Sequence, residues 1–385
     1  MTIEAPFLDF ENFNKLDLIK KYEYFHINKV FSEVYTVQQK NNGKIYLANI
    51  SRPEEKKNHS KAFKRVVNIL PQLNHPSILH FIGYSKFNQD GKSHSAVITD
   101  YYPNGTLNDM LIAEKLGKPV SGWNDTKKLI ALYGIASGMA YLHSKNILHR
   151  NLKPTSILMD NSFYPKIRNF NLLIKCDDES RKKPIKGTPE YMACEIIMRE
   201  PSSKPMDVYS FAMIAYEIVT LCHPFEEIEN LNIIHILQKV RNGQYPEFND
   251  STPKAFRKLI ERCWAKNPEE RPTFDEITHL LRTDSDFITD GVEKDEYFEY
   301  VKYVDNFSNE IRKENINKCL SEEDSKIINE EIQKKTEENV HLQKEIEILK
   351  RNLDEEKKKV RKIIKLKDQI LSSSNDETKM SHLVL

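Results

Sequence analysis

The sequence predicts an α+β fold in two lobes, a small strand-rich lobe followed by a larger helical one, with a long helix beyond them. Three observations carry that prediction. Residues 21–51 alternate apolar and polar side chains, the chain changes to a helical period from about residue 106, and residues 327–371 repeat in heptads.

The elements follow in order. YEYFHIN, EVYTVQQ and KIYLANI read as strands. Asn41-Asn42-Gly43 between the last two is a hairpin signal, because Asn and Gly accept the left-handed backbone of a tight turn. Residues 54–73 read as a helix ending at Asn74-His75-Pro76. ILHFIGYS and SAVITDYY are two more strands, split by the turn-forming Asn88-Gln89-Asp90-Gly91. LIALYGIASGMAYLHS, VYSFAMIAYEIVTLC and AFRKLIERCWAK are helices. Residues 285–320, aromatic and acidic without clear period, are expected to be a linker or a helix packed on the main body.

In 327–371 the seam is Ile328, Ile332, Lys335, Asn339, Leu342, Ile346, Leu349, Leu353, Glu356, Val360, Ile363, Lys367 and Ile370. Nine of these thirteen are apolar, with no Pro or Gly between them, which predicts a coiled coil. Residues 321–349 hold nine acids and four bases, and residues 350–371 four acids and nine bases. An antiparallel pair sets acid against base, and Asn339 on the seam favours two strands. A homodimer through 327–371 is expected, its orientation open. The expected domains are an N-terminal extension (1–20), the small lobe (21–102), the large lobe (103–284), a linker (285–320), the coiled coil (321–371) and a disordered tail (372–385).

Composition removes several function classes. Lys and Arg number 58 against 57 Asp and Glu, so the charge balance argues against nucleic acid or an anionic membrane as partner. No apolar run approaches the roughly 20 residues of a spanning helix, and MTIEAPFLDFENFNK lacks the pattern of a secretory signal. The five cysteines, Cys176, Cys194, Cys222, Cys263 and Cys319, have no CxxC spacing, so neither a disulfide framework nor a zinc site is expected. A cytoplasmic protein is the expectation. Glycine is scarce at 11 residues, about 3% against a usual ~7%.

The stretch YLHSKNILHRNLKPTSILM (141–159) resembles the catalytic loop of eukaryotic protein kinases, usually HRDLKPxNILL. The resemblance continues through KIRNFN (166–171), GTPEYMACE (187–195), DVYSFA (207–212) and KNPEERPTF (266–274), and covers roughly 21–284. ITDYYPNGTL and NPEERPT look most like the tyrosine-kinase-like group of serine/threonine kinases. The resemblance implies a two-lobed kinase fold with an antiparallel small lobe, and a catalytic apparatus of positioning and metal-ligating groups.

Each of those groups is replaced. INKVFSEVY (27–35), at the glycine-rich loop, has no glycine, with Asn28 and Ser32 where glycines belong. In YLANI the best register sets Leu47 for the Ala and Asn49 for the phosphate-binding Lys; a one-residue shift would set Ala48 and Ile50 there instead. The helix glutamate that pairs that Lys falls at Val66. The general base is Asn151, the second metal ligand Ser156, and the aspartate of DFG Asn169. An amide cannot act as that base near neutral pH, and Mg²⁺ usually wants a carboxylate. Loss of the base alone costs about 10²–10⁴ in rate, roughly 3–5 kcal/mol. His149, Arg150, Lys153, Glu195, Asp207 and Arg271, which the family uses for architecture, remain.

The resemblance places Val34, Leu47, Thr99, Tyr101 and Leu158 around a nucleotide pocket. It makes Ser180 and Thr188 candidate regulatory phosphosites, with Arg150 a candidate phosphate grip. The function expected is that of a pseudokinase, a non-enzyme that scaffolds or allosterically regulates signalling proteins, an active kinase among them. No metal or cofactor is expected; ATP is left open and Mg²⁺ is not anticipated. One alternative is an unconventional active serine/threonine kinase, with Lys29, Lys44 or Lys153 at the phosphates and Asp177, Asp178 or Glu179 on a metal. Another is a Mg²⁺-independent ATP sensor.

Deleting residues 321–385 is expected to convert a dimer into a monomer in light scattering; a full-length chain that is already monomeric overturns the coiled-coil reading.

Overall fold

A computed structural model describes residues 6–21, 31–51, 57–89, 92–178, 188–228, 232–319, 334–335 and 355–359. The chain divides into two units, Met1–Ser308 and Asn309–Leu385. Within the first, a five-stranded antiparallel sheet forms the small lobe, in the order β1 (Phe13–Lys21), β2 (Phe31–Gln39), β3 (Ile45–Ser51), β5 (Lys92–Asp100), β4 (Phe81–Gln89). Helix α1 (Lys57–Ile69) and a 3₁₀ turn at Leu70–Gln72 connect β3 to β4. Gly43, at φ 69°, closes the expected β2–β3 hairpin.

The N-terminal extension is not separate from this lobe. Its residues Phe13–Lys21 are β1, and the pairing with β2 shifts register twice, at Lys15/Leu18 and Leu18/Lys20, which blurs the period-two signal. The run YEYFHIN lies outside the described residues. Upstream, residues 6–8 run along the edge of β4: Leu8 N donates to Tyr84 O at 2.8 Å and Tyr84 N to Pro6 O at 2.9 Å. Gly83 permits this, since a Cβ there would meet Leu8 and Pro6 at 2.7 Å. Phe10 and Phe13 are buried with Val37, Ala48, Ile50 and Ile98 in a cluster on one face of the sheet.

The opposite face of the sheet belongs to the main core, through Val34, Leu47 and Val97. That core continues into the helical lobe: α2 (Leu107–Lys115), α3 (Asp125–Ser144), α4 (Cys194–Ile197), α5 (Lys204–Thr220), α6 (Ile233–Arg241), α7 (Lys254–Cys263) and α8 (Phe274–Thr283). Short strand pairs β6 (Ile147–Leu148) with β9 (Ile174–Lys175), and β7 (Ile157–Met159) with β8 (Pro165–Ile167), lie between α3 and α5 in sequence. α3 and α5 are apolar nearly all round, as expected of helices buried on every side.

Residues 285–304 are part of this lobe, so of the two expectations for this stretch the packed helix holds and the linker does not. Helix α9 (Lys294–Cys319) buries Tyr297, Tyr300, Val301 and Val304, one face at i, i+3, i+4 and i+7. Tyr297 Oη donates to Leu281 O at 2.9 Å, and Glu293 N donates to Thr126 Oγ1 at 2.8 Å. The heptad region lies outside the described residues except for 334–335 and 355–359, which are helical.

Glu195 and Arg271 form a buried bidentate pair, Nη1 to Oε1 at 2.5 Å and Nη2 to Oε2 at 3.1 Å. Arg271 also donates to Ala265 O and Pro205 O, so its fork joins three segments of the lobe. Arg271→Ala would leave a carboxylate buried and uncompensated. It is expected to destabilise the chain by about 3–5 kcal/mol in urea denaturation; a loss below about 1 kcal/mol would show the pair to be dispensable.

Candidate functional site

The catalytic-loop segment is built on a buried carboxylate. Asp207, near the start of α5, accepts from His149 N at 2.9 Å and Arg150 N at 2.8 Å, and lies 3.0 Å from His143 Nε2. Burial alone would raise its pKa, but the bonds from His143 and His149 hold it below the usual carboxylate value. His149 accepts from Asn151 N at Nδ1 and donates from Nε2 to Arg168 O at 3.0 Å. That neutral form suits a ring whose pKa burial lowers. Arg150 and Asn169 both take left-handed backbone, φ 66° and 72°, a geometry costing non-glycine residues about 1–2 kcal/mol.

The sequence-predicted residues fall into two groups. Asn151, Ser156 and Asn169 meet: Ser156 Oγ donates to the backbone carbonyl of Asn151 at 2.8 Å and accepts from the Asn169 side chain, Nδ2, at 3.3 Å. Asn49 and Val66 meet Asn169 from the other side. They line one cavity of about 40 Å³ with Leu47, Leu70, Leu79, Val97, Thr99, Arg168 and Phe170, room for a water or two. The Thr99 hydroxyl is buried with no hydrogen bond. β3 thus runs in the register with Leu47 and Asn49 toward the cleft, while Ala48 and Ile50 face the other cluster. Of the expected pocket residues, Leu47 and Thr99 line the cavity. Val34 and Leu158 are buried and Tyr101 half-buried in the same core, outside it.

Other candidates are committed elsewhere. Lys153 Nζ donates to Thr188 Oγ1 at 2.7 Å, so the Thr188 hydroxyl is a structural partner of the catalytic loop. Lys44 pairs with Asp100 at 3.3 Å. Asp178 lies near enough to Arg65 and Arg150 to favour both as cations. Arg150 is pushed down to about 10 by burial and by Arg65, a neighbour on α1 that the sequence reading missed. No local motif marks Arg65; only the packing of α1 brings it near. Asp177 is exposed. Lys29, Glu179, Ser180, Asn28 and the front of the glycine-loop segment lie outside the described residues. Burial and the adjacent Glu195 raise the Cys194 thiol, which makes it an inert packed group. Among the described residues no group of three His, Cys, Asp or Glu could hold a metal, and no helix is long and apolar enough to cross a membrane.

The profile of the protein tyrosine and serine/threonine kinase family matches residues 25–281, about two thirds of the chain. The chain belongs to this family. Its antiparallel small lobe and helical large lobe are those the kinase resemblance implied. A Dictyostelium discoideum protein named as a probable serine/threonine-protein kinase is 30% identical over 60% of the chain and 17% of its own length. The Arabidopsis thaliana serine/threonine-protein kinase CTR1 is 32% identical over 57% of the chain and 26% of its own length. The serine/threonine/tyrosine-protein kinase HT1 of the same plant is 30% identical over 60% of the chain and 56% of its own length. The chain therefore spans less than two thirds of each of these relatives.

These names correct the expectation of a non-enzyme. The relatives of this kinase domain are named as kinases, so the family evidence points to an enzyme. Replaced side chains bear on rate, and rate is a separate matter from class.

Beside the catalytic loop, Tyr191 Oη donates to Glu217 Oε1 at 2.5 Å. Burial raises the Glu217 carboxyl from 4.5 to about 8, overriding the lowering effect of the Tyr191 bond. Below pH 4.5 folded and unfolded chains both hold this proton. Between 4.5 and about 8 only the folded chain holds it, so stability falls as pH rises through that window. Glu217→Gln, which keeps an acceptor for Tyr191, is expected to flatten the dependence of the thermal midpoint on pH across the window. An unchanged slope would place the decline on another group.

Proposed function

We propose that the chain is a serine/threonine-type protein-kinase domain of strongly attenuated turnover. It acts in cytoplasmic signalling mainly by binding other proteins, an active kinase among them, and pairs with a second copy through residues 327–371. The observation that supports this reading is the hydrogen-bonded set of Asn151, Ser156 and Asn169. Where the family places a proton acceptor and two metal ligands, these residues offer two amides and a hydroxyl, and the hydroxyl is already bonded to the Asn169 side chain and to the Asn151 backbone carbonyl. A hard cation that favours carboxylate oxygens does not fit those donors, and an amide does not take up a proton near neutral pH.

The cleft wall supports the same reading. Asn49 and Val66 occupy the places of the family's ion pair and share a cavity with Asn169, so no charge pair orders α1 against β3 there. ATP binding that does not depend on Mg²⁺ is the nucleotide behaviour this arrangement favours. The kinase names of the relatives, serine/threonine in two and serine/threonine/tyrosine in the third, support the class.

Thermal unfolding of the full chain with ATP, with and without Mg²⁺, tests the reading. A ligand at about 100 times its Kd stabilises by about 2.7 kcal/mol, several degrees in midpoint. For the natural sequence Mg²⁺ is expected to add nothing to whatever shift ATP produces. The triple variant Asn151→Asp, Ser156→Asn, Asn169→Asp is expected to gain a Mg²⁺-dependent shift and at least 10² in phosphoryl transfer. A Mg²⁺-dependent shift in the natural chain, or transfer as fast as that of the triple variant, overturns attenuation.

A further inference from the structure

Residues 74–79 connect α1 to β4 and tie the two lobes together. Asn74 N donates to Tyr141 Oη at 2.9 Å, and the His75 ring stacks on Tyr141 at 5.2 Å. Lys166 Nζ donates to Pro76 O at 2.7 Å. Ile167 N then donates to Ser77 O at 2.8 Å, and Leu79 N to Ile167 O at 2.9 Å. Ile167 ends β8 two residues before Asn169, and Leu79 and Asn169 line the same cavity. The backbone that presents Asn169 to the cleft is therefore fixed through Ser77 and Leu79.

Ser77 is fully buried, and its Oγ lies 3.1 Å from Tyr300 Oη on α9, 223 residues further along the chain. Two glycines one turn apart on α3 leave the passage for that hydroxyl. A Cβ on Gly134 would collide with Tyr300 Oη and with Pro165, and one on Gly138 would meet Ile167 Cδ1 at 2.8 Å and Ser77 Cβ at 3.2 Å. The Tyr300 ring already packs against Tyr133 and Tyr164, contacts a phenylalanine would keep. The hydroxyl adds a bond to the interlobe segment, in a site where an unpaired polar atom is costly.

We propose that Tyr300 is a positioning residue for the cleft: through Ser77 it holds the β8 end that carries Asn169, so α9 acts on the site without lining it. This goes beyond the proposed function and does not depend on whether the cleft turns over nucleotide.

The test compares amide hydrogen exchange in the full natural chain, in Tyr300→Phe, in Ser77→Ala and in the double variant, without nucleotide. Tyr300→Phe is expected to speed exchange at Leu79 and Ile167 about five- to tenfold, leaving the α5 amides unchanged. Ser77→Ala is expected to act at the same amides, and the double variant to be no faster than the faster single variant, because the two hydroxyls act as one unit. Unchanged exchange at Leu79 and Ile167 overturns the proposal. A uniform rise across the lobe also overturns it, since that is the signature of a merely structural tyrosine, as do effects that add in the double variant. A Mg²⁺-dependent ATP shift would sink the attenuation reading and leave this outcome readable.

Discussion

The organisation of the site depends on one buried carboxylate. Asp207 accepts two consecutive backbone N–H groups, those of His149 and Arg150, and meets the His143 ring. Those bonds hold Arg150 in left-handed backbone and set the loop that presents Asn151. His149 carries the constraint onward to Arg168 O, and so to the turn at Asn169. A carboxylate this deeply buried is costly unless donors surround it, and here the two histidines and the Arg150 N–H supply them. The loop would need that support whether it carried an aspartate or an asparagine at its tip.

The chain keeps the family's architectural side chains and replaces the charged ones at its catalytic positions. The Glu195–Arg271 pair, the Asp207 network and the Lys153–Thr188 bond brace the large lobe and the loop that carries Asn151. At the positions where charge would act on a substrate, the side chains are amides, a hydroxyl and valine. Substituting neutral polar groups for charged ones lowers the desolvation demand on the cleft. It also lets Ser156 and Asn169 hydrogen-bond to one another.

Much of this was legible because kinase motifs are short and contiguous. HRNLKPTS and NFN state the replacements at 151, 156 and 169 directly, and the Asn-Gly turn gave the β2–β3 hairpin. The register of β3 required the structure, since a one-residue slip exchanges Leu47 and Asn49 for Ala48 and Ile50, and a single strand does not say which face is the cleft. The packing of α9 was present as the spacing of Tyr297, Tyr300, Val301 and Val304, but Phe298 and Tyr303 filled in the pattern and hid its period. Arg65 beside Arg150, and Tyr300 beside Ser77, join segments far apart in sequence, and no local pattern encodes them.

The strap along β4 has a consequence for association. An edge strand offers a row of unmet N–H and C=O groups that any extended peptide can join. Here the chain fills that place with its own residues 6–8, and Gly83 removes the side chain that would keep them out. At Tyr84 the edge of β4 is thereby already paired. An extended peptide approaching β4 at Tyr84 would have to displace the chain's own strap before it could bond to that backbone.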